Sequence, residues 1–297
     1  MSNLIPLQPI DYLLMGHVTS DLQDDGSGKL GGTASYSGLT AQKLGHSVGL
    51  VSSFSVDADI SALSTIQVFN ASEGQTTCFR NISTPTGRQQ YCYQRASTLS
   101  RKDVPAAWQN APIVHLGPVA GEIDPELFEA FPGSLLCCTP QGMLRHIAEN
   151  GKVTFLDLQN KQQLLPKADV VVLSLEDLQG DEDLVEEYAS LCKLLVVTEN
   201  KDGARVYWKQ DLRFFDAPIK QSVDETGAGD IFAACFFHHF HLTRNAWEAA
   251  RFAVELSANS VTRHYMESVP TIEEIKYTKN LGRSEERRVG KECRSRW

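Results

Sequence analysis

The run Asp224-Glu225-Thr226-Gly227-Ala228-Gly229-Asp230 offers the clearest chemistry in the sequence. Its small residues Gly227, Ala228 and Gly229 stand directly before an apolar helical segment. Free backbone N–H groups and the positive end of a helix dipole can bind an anion at such a point. Asp230 follows in the first turn, where a carboxylate can accept a proton from an alcohol while the amides hold a phosphoryl group. The same spacing also fits a glycine-containing loop in which Asp230 only caps the helix.

The bulk composition narrows the class of protein that could carry this site. The chain has 297 residues, 42% of them hydrophobic and 22% charged, as in ordinary globular proteins. Its net charge of −9 excludes a general attraction to nucleic acid or to an anionic membrane. No stretch has the roughly 18–20 apolar residues of a membrane helix, and Met1 to Ile10 lacks a secretory-signal pattern. The seven cysteines show no metal-binding spacing and are typical of reduced thiols, so we expect a cytoplasmic protein.

Short apolar runs alternate with segments of helical periodicity along most of the chain. Several runs are apolar at every position, as in parallel strands covered by helices on both faces. The pattern predicts an α/β fold with a doubly wound, mostly parallel sheet flanked by helices. The predicted strands are Tyr12–Met15, Val48–Val51, Thr65–Phe69, Ile113–Leu116, Leu135–Cys138, Val153–Leu156, Val170–Leu173 and Leu194–Val197. The predicted helices are Ala34–Leu44, Pro125–Phe131, Gln141–Glu149, Asp181–Leu191, Ile231–Leu242, Asn245–Arg263 and Ile272–Lys279.

Two stretches depart from this alternation. Between Thr76 and Ser97, two β-prone segments flank a Pro/Gly turn, which predicts a hairpin outside the main sheet. It could be a surface arm, or part of a small β lid formed by about residues 17–31 and 65–97 over a ligand cleft.

The last fifteen residues, 283–297, carry five Arg, one Lys and three Glu without apolar periodicity. They could bind nucleic acid or a partner, but we interpret the chain from Gly282 onward as a non-native tail. We therefore expect one domain over residues 1–282. Without the six positive and three negative charges of the tail, the net charge changes from −9 to −12.

The run that ends at Asp230 resembles the C-terminal signature of the ribokinase family, the PfkB-type sugar kinases. The family pattern is Asp-Thr-x-Gly-Ala-Gly-Asp, and it matches at Asp224, Thr226 and Gly227–Asp230. Further blocks occur in the family's order over nearly the whole chain. The resemblance implies an ATP-dependent kinase that uses Mg²⁺, with Asp230 as the base that deprotonates the acceptor hydroxyl. It also implies that the amides around Ala228 and Gly229 form the anion hole for the γ-phosphate.

The resemblance implies an acceptor site near the N-terminus. Asp21 matches an Asp that binds substrate hydroxyls in the family, and a carboxylate suits a polyol because it can accept two hydrogen bonds. Gly31 and Gly32 match a Gly-Gly block beside the substrate. Tyr36 stands where many sugar kinases have Asn, which indicates an acceptor pocket of different shape.

A second acceptor block resembles the family's Asp-Pro-Asn-x-Arg motif, with Leu158 for Pro, Gln159 for Asn and Lys161 for Arg. Asp157 and Gln159 could face the substrate or a phosphate. The same residues equally fit a plain loop at the end of a strand.

The nucleotide and metal blocks carry more departures. Ser174 and Asp177 take the Asn and Glu positions of the family's Asn-x-x-Glu motif, and Asp177 would act on Mg²⁺ through water. Thr198 and Gly203 match the nucleotide block. Asn200 stands in place of a Gly, and Asn tolerates a left-handed backbone conformation better than most residues do. The resemblance implies that Asn259 contacts the adenine, while the residue also fits a polar position on an amphipathic helix.

Together these blocks predict ATP-dependent phosphorylation of a hydroxyl on a small polyol, either a sugar, an inositol or a nucleoside. The departures at Tyr36 and Gln159 favour an inositol-like cyclic polyol. The alternative is a catalytically inactive ligand-binding protein on the same fold, which decayed phosphate and metal blocks would indicate. We expect neither nucleic acid nor membrane as a partner, and the β lid could pair with that of a second copy in a homodimer.

Overall fold

A computed structural model describes residues 7–84 and 87–281 of the protein. Its strands are β1 (Tyr12–Met15), β2 (Thr19–Leu22), β3 (Gly28–Gly31), β4 (Val48–Ser52), β5 (Gln67–Asn70), β6 (Thr77–Thr84), β7 (Gly87–Gln94), β8 (Ile113–Leu116), β9 (Leu135–Cys138), β10 (Arg145–Ile147), β11 (Val153–Phe155), β12 (Val170–Ser174), β13 (Leu194–Thr198), β14 (Ala204–Trp208) and β15 (Asp211–Phe215). Its α-helices are α1 (Thr33–Lys43), α2 (Lys161–Leu164), α3 (Glu182–Leu191), α4 (Ala228–Thr243), α5 (Ala246–Ser260) and a helix at residues 272–281.

Nine strands form the central sheet in the order β15-β14-β13-β12-β9-β8-β1-β4-β5. The pairs from β5 to β13 are parallel, and β14 and β15 extend the sheet as antiparallel strands. Alternate residues of β1 enter different cores: Tyr12 and Leu14 pack on the side of α1, α4 and α5, and Leu13 and Met15 pack on the side of α3. Both faces of these strands are therefore buried, which explains their uninterrupted apolar sequence and confirms the predicted doubly wound fold.

A separate four-stranded sheet has the order β3-β2-β6-β7. The pairs β2–β3 and β6–β7 are antiparallel, while β2 and β6 run parallel. The predicted hairpin between Thr76 and Ser97 corresponds to β6 and β7. Because β5 pairs with β4 in the central sheet, the small sheet excludes residues 67–70, which the predicted lid range had included.

The predicted helix Gln141–Glu149 is wrong. A 3₁₀ turn at Pro140–Leu144 leads into β10, which pairs antiparallel with β11 in a two-stranded sheet of its own. Gly142 packs so closely on the backbone of Pro118 and Val119 that a Cβ would overlap it, and its N–H donates to Pro118 O. This tertiary contact overrides the helical periodicity. The predicted strand Val153–Leu156 is accordingly β11, outside the central sheet, and the predicted helix Pro125–Phe131 is a short 3₁₀ helix at Pro125–Glu129.

The segment from Gly282 onward lies outside the described residues. In the part of the chain that the structure describes, no helix combines the length and apolar character required to cross a membrane. The cysteines of that part are free thiols, four of them buried.

Candidate active site

The polar loops that follow the central strands meet in one cleft of about 1080 Å³. Ser174 and Thr198, at the ends of β12 and β13, line it from the sheet, and the start of α4 lines it from the opposite wall. The small sheet covers the cleft with side chains from β2, β6 and β7, namely Thr19, Asp21, Phe79, Asn81 and Gln90. The cleft thus lies beyond the carboxyl ends of parallel strands, where α/β proteins generally bind ligands.

Helix α4 begins with the glycine run and points its N-terminus into the cleft. Gly227 is its N-cap, with φ 80° and ψ −3°, and no side chain caps the helix. Helical hydrogen bonding begins at Ile231, whose N–H donates to Gly227 O over 2.9 Å. The N–H groups of Gly229 and Asp230 therefore have no acceptor within the helix. Asp230 is the third residue of the helix, within its first turn, and is not the N-cap, so this geometry favours the anion-site interpretation over the capping one.

The Asp230 carboxyl group is half-buried and close to charged neighbours. Burial raises its pKa to about 6, and the negative charges of Asp177 and Asp21 add to the rise. A hydrogen bond from the Thr33 side chain and the positive charge of Arg145 act in the opposite direction. A carboxylate with a pKa near 6 is ionised at neutral pH and is still basic enough to take a proton from an alcohol in a transition state.

Tyr36 of α1 packs against the glycine run. Its ring occupies the space that a Cβ on Gly227 would need. The side chain is buried, and its hydroxyl has no hydrogen-bond partner among the described residues. Ser37, the next residue of α1, donates its hydroxyl to Asp230 O over 2.9 Å. Helix α1 therefore holds the first turn of α4 in place through these two contacts.

The hairpin of β2 and β3 presents Thr19 and Asp21 on one face. A Cβ on Gly31 would lie 2.5 Å from Asp21 Oδ2 and 3.0 Å from Thr19 Oγ1, so only glycine leaves room for both side chains. Gly32 has φ 86°, and its missing Cβ would lie 2.8 Å from His17 O. The Gly31-Gly32 pair thus admits the two side chains to the cleft, although Gly31 itself lies behind them and does not line it.

The other end of the cleft combines polar loops with an apolar wall. Asp177 Oδ2 accepts the Ser174 N–H over 2.9 Å, and Ser174 Oγ accepts the Asp177 N–H over 3.0 Å. Asn200 has the left-handed φ of 50° expected of a glycine replacement. The wall behind these loops consists of side chains from α5, from the residue that follows it and from the loop before α4: Val223, Val254, Ala258 and Val261.

The backbone around residue 203 requires a glycine there for a structural reason. Its φ is 103°, and a Cβ there would overlap Phe215 O and approach Ala217 N. The residue lines the cleft together with Thr198, but its lack of a side chain is required by the chain that returns from β15.

Three predicted site residues lie elsewhere. Asp157 accepts hydrogen bonds from Lys161 Nζ over 2.6 Å and from Tyr188 OH over 2.8 Å, on the α3 side of the central sheet. Gln159 donates to Asp157 O and is exposed. Neither lines the cleft, because β11 belongs to the two-stranded sheet and its exit points to α2 and α3. Asn259 also lies outside the cleft, while its neighbour Ala258 forms the wall.

The structure adds residues that the sequence analysis did not assign. Arg145 lines the cleft, donates to Val119 O over 2.8 Å and stacks over Phe79 of the small sheet. Thr33 donates to Asp230. The sequence offered one signal for Arg145, its place after the β9 exit loop, but the predicted helix Gln141–Glu149 obscured it.

Comparisons with known proteins agree with this architecture. A pyrophosphate-dependent kinase in the ribokinase family, complexed with a pyrophosphate analog and myo-inositol, has a TM-score of 0.76 at 20% identity, covering 90% of this chain and 99% of that one. An uncharacterized sugar kinase from Pyrococcus horikoshii in complex with ATP has a TM-score of 0.70 at 17% identity, covering 89% and 96%. Both show the fold.

In sequence, the chain is 23% identical over 271 residues to the cytidine kinase of Thermococcus kodakarensis, covering 83% of this chain and 94% of that protein. The model of the pfkB family of carbohydrate kinases matches residues 18–272. That match spans most of the chain and includes both the small sheet and the Gly227–Asp230 run, so this protein is a kinase that belongs to the pfkB carbohydrate kinase family.

Proposed function

We propose that the protein transfers the γ-phosphoryl group of ATP to a hydroxyl of a small polyol, with Asp230 as the general base. One observation carries the proposal. The Asp230 carboxylate lies at the N-terminus of α4, beside N–H groups that the helix does not use, in a cleft covered by the small sheet.

In the proposed reaction, the acceptor hydroxyl donates its hydrogen bond to Asp230. Its oxygen forms a bond to the γ-phosphorus as the bond from that phosphorus to the bridging oxygen breaks, and the proton passes to Asp230. ADP leaves with the electron pair of the broken bond. The N–H groups of Gly229 and Asp230 bind the phosphoryl oxygens, and α1 keeps them aligned through Tyr36 and Ser37.

Arg145 is the second group that we assign to the transferred phosphoryl group. It is the only arginine that lines the cleft within residues 7–84 and 87–281, and its charge acts on Asp230. The hydrogen bond to Val119 O and the ring of Phe79 fix the guanidinium group. A fixed guanidinium can hold phosphoryl oxygens as the bond to the leaving group lengthens.

ATP rather than pyrophosphate is the proposed donor, although one similar structure holds a pyrophosphate analog and the other holds ATP. Beyond the anion hole, Val223, Val254, Ala258 and Val261 offer an apolar surface that pyrophosphate would leave uncovered. Ile219 at the mouth of the cleft is fully exposed, and its side chain could cover the nucleotide's purine ring. Stacking of a purine there would remove this apolar surface from water. Turnover with pyrophosphate and none with ATP would contradict this donor assignment.

The residues present fit a Mg²⁺ ion that is shared with the donor. Among the described residues, no group of three or more His, Cys, Asp or Glu could hold a metal. Magnesium needs only one or two carboxylates when phosphates and water complete its shell. Asp177 lines the cleft with its Oδ2 oriented by Ser174, and we propose that it holds Mg²⁺ through water. The bound ion would neutralise phosphate charge.

The test is ATP turnover with a panel of neutral polyols, comparing the unmodified protein with Asp230→Asn. We expect kcat to fall by about 10² to 10⁴-fold, the range that general base catalysis contributes. Asp183→Asn, an exposed carboxylate at the start of α3, is the matched control and should leave turnover unchanged. Equal activity of Asp230→Asn would overturn the assignment of the base. Thermal shifts by polyols without any turnover would support a binding protein instead.

We also propose a cytoplasmic protein that forms a homodimer through the small sheet. The free cysteines fit a reducing compartment. On β7, at the edge of the small sheet, Tyr91 and Tyr93 stack at 6.2 Å between ring centroids, and Tyr93 is half exposed. Light scattering of the unmodified protein and of Tyr93→Lys tests the dimer, since the charge should shift the mass toward a monomer.

A further inference from the structure

One residue of the loop after α5 connects the small sheet to the loop before α4. Tyr265 donates its hydroxyl to Gln23 Oε1 over 3.3 Å, and Gln23 lies between β2 and β3. The Lys29 ammonium group of β3 lies over the Tyr265 ring, with Nζ 3.6 Å from the ring centroid. The backbone N–H of Tyr265 donates to Asp224 Oδ2 over 3.1 Å. Tyr265 therefore joins two parts of the molecule that are distant in sequence.

These contacts belong to a chain of hydrogen bonds that runs from Asp21 to Thr226. Gln23 Nε2 donates to Asp21 O over 2.8 Å, while Gln23 Oε1 accepts from Tyr265. Asp224 accepts the Tyr265 N–H with one oxygen and the Thr226 N–H, over 2.9 Å, with the other. Asp21 and Thr226 line the cleft, whereas Gln23 and Tyr265 do not. Two walls of the cleft are thus connected through residues that lie outside it.

The backbone of Tyr265 is strained. Its φ is 47°, and it is the only aromatic residue with a positive φ among residues 7–84 and 87–281. This conformation is unfavourable for a bulky side chain and persists only where the surrounding contacts determine it. Here the N–H reaches Asp224 while the ring reaches Lys29. The contacts on both sides of the loop therefore offset the strain.

Lys29 is also the cross-strand neighbour of Asp21. The two residues oppose each other in the register of β2 and β3, so their side chains lie on the same face of the small sheet. Opposite charges at such a position attract each other, and the Tyr265 ring draws the ammonium group to itself. Tyr265 thus acts on the strand that carries Asp21 by two routes, through Gln23 and through Lys29.

We propose that Tyr265 is a positioning residue whose contacts to Gln23, Lys29 and Asp224, the latch, hold the β2–β3 hairpin against the loop before α4. The inference rests on the proposed function, because the latch brings the wall with Asp21, the proposed acceptor end of the cleft, to the proposed anion hole. With the latch intact, the hairpin covers the cleft before an acceptor binds. Without the latch, a smaller fraction of molecules is ready to bind, and the apparent affinity for the acceptor falls by that fraction.

Two substitutions of Tyr265 separate the parts of the latch. Tyr265→Phe keeps the ring under Lys29 but loses the hydroxyl that donates to Gln23. Tyr265→Gly loses both side-chain contacts, keeps the N–H, and adopts a φ of 47° without strain. We expect the acceptor KM to rise about 3-fold in Tyr265→Phe and about 10-fold in Tyr265→Gly. Because saturating acceptor restores the covered cleft, kcat should stay within about twofold.

Hydrogen exchange measures the latch without turnover. In Tyr265→Gly we expect the amides of β2 and β3 to exchange about fivefold faster or more, because the hairpin opens more often. The amides of β12 and β13, in the central sheet, should exchange as in the unmodified protein. This measurement needs neither ATP nor an acceptor, and it does not depend on Asp230.

Lys29→Met and Lys209→Met form a matched pair. Each lysine lies over an aromatic ring, and the distance for Lys209 is 4.1 Å to the ring of Trp208. Trp208 belongs to β14 and lies outside the cleft. Lys29→Met should raise the acceptor KM, whereas Lys209→Met should leave it unchanged. The double variant Lys29→Met/Tyr265→Gly should have the KM of Tyr265→Gly alone, since both substitutions remove the same contact.

The possible results distinguish this inference from the proposed function. Unchanged exchange in β2 and β3 together with an unchanged acceptor KM for Tyr265→Gly would overturn the inference and leave the kinase function standing. A fall in kcat alone would also overturn it, because the latch acts before the acceptor binds. Faster exchange of the hairpin in Tyr265→Gly, with no turnover of any polyol by the unmodified protein, would support the latch and contradict the proposed function.

Discussion

The ring of Tyr36 lies where any side chain on Gly227 would have to be. The contact joins α1, beside the proposed acceptor end of the cleft, to the N-cap of α4, where the proposed anion hole begins. The proposed acceptor pocket and the proposed anion hole therefore share one packing contact, and a change on either side reaches the other.

Gly227→Ala should test this contact directly. The new methyl group would overlap the Tyr36 ring. The alanine backbone would also have to keep the left-handed φ of 80°. We expect a loss of about 2 kcal/mol or more in unfolding free energy and a large loss of kcat. Gly229→Ala is the stability control, because a Cβ there meets nothing within 4 Å. Equal denaturation midpoints for the two variants would contradict the packing argument.

The activity should depend on the ionisation of Asp230. Burial raises its pKa to about 6, and the base must be deprotonated to act. We therefore expect kcat/KM to rise with pH up to about 6 and then to level off, until other groups titrate. The measurement is a pH–rate profile between pH 4.5 and about 8 with donor and Mg²⁺ in fixed excess. If kcat/KM does not fall below about pH 6, Asp230 is not the base.

The same pKa also predicts how the stability of the fold depends on pH. The dependence has the opposite sign to that of a carboxylate whose pKa is lowered on folding. The folded-state pKa lies above the ordinary value of 3.8, so the folded protein binds the proton more tightly than the unfolded chain does. Ionisation of Asp230 consequently destabilises the fold as pH rises from about 4 through about 6. Asp230→Asn should gain about 1 kcal/mol at pH 7 and little at pH 4, a modest figure because the carboxyl is partly solvated. Chemical denaturation at both pH values measures it.

Arg145 should matter for the transferred group more than for acceptor binding. We expect Arg145→Gln to lower kcat by about 10² to 10³-fold, as the loss of one preorganised donor does, with a smaller effect on the acceptor KM. Arg145→Lys should recover part of the loss, because it keeps the charge but not the planar fork. Arg213→Gln, a half-exposed arginine on β15, is the control. A pure KM effect for Arg145→Gln would place the residue in acceptor binding instead.

Asp157 should prove to be structural. It pairs with the buried Lys161 Nζ over 2.6 Å and accepts the Tyr188 hydroxyl. Asp157→Asn should lower the free energy of unfolding by about 1 to 3 kcal/mol and leave the acceptor KM unchanged. Gln159→Ala should change neither quantity. An increased acceptor KM in either variant would restore the substrate role that the sequence suggested.

Some elements of this protein can be predicted from short stretches of its sequence. The apolar runs Tyr12–Met15 and Val48–Val51 predict strands buried on both faces, because only such strands tolerate an uninterrupted apolar sequence. The Gly227–Asp230 run predicts the N-terminus of α4 and its carboxylate, since helix start signals depend on near neighbours in sequence. Asn200 likewise keeps a left-handed turn that its residue type allows.

Long-range contacts decided the rest. Asp21 lies within the short strand β2 and Asp157 follows the short strand β11. No local signal distinguishes the carboxylate in the cleft from the one that binds Lys161. The position of each depends on which strands pair, and β10–β11 formed a sheet of its own because Gly142 had to pack on Pro118 and Val119. The same pairing brought Arg145 into the cleft. The chain by itself thus determined the fold class and the Gly227–Asp230 run. Only tertiary packing decided which polar side chains stand around that run, because side chains distant in sequence meet through strand pairing and close backbone contact.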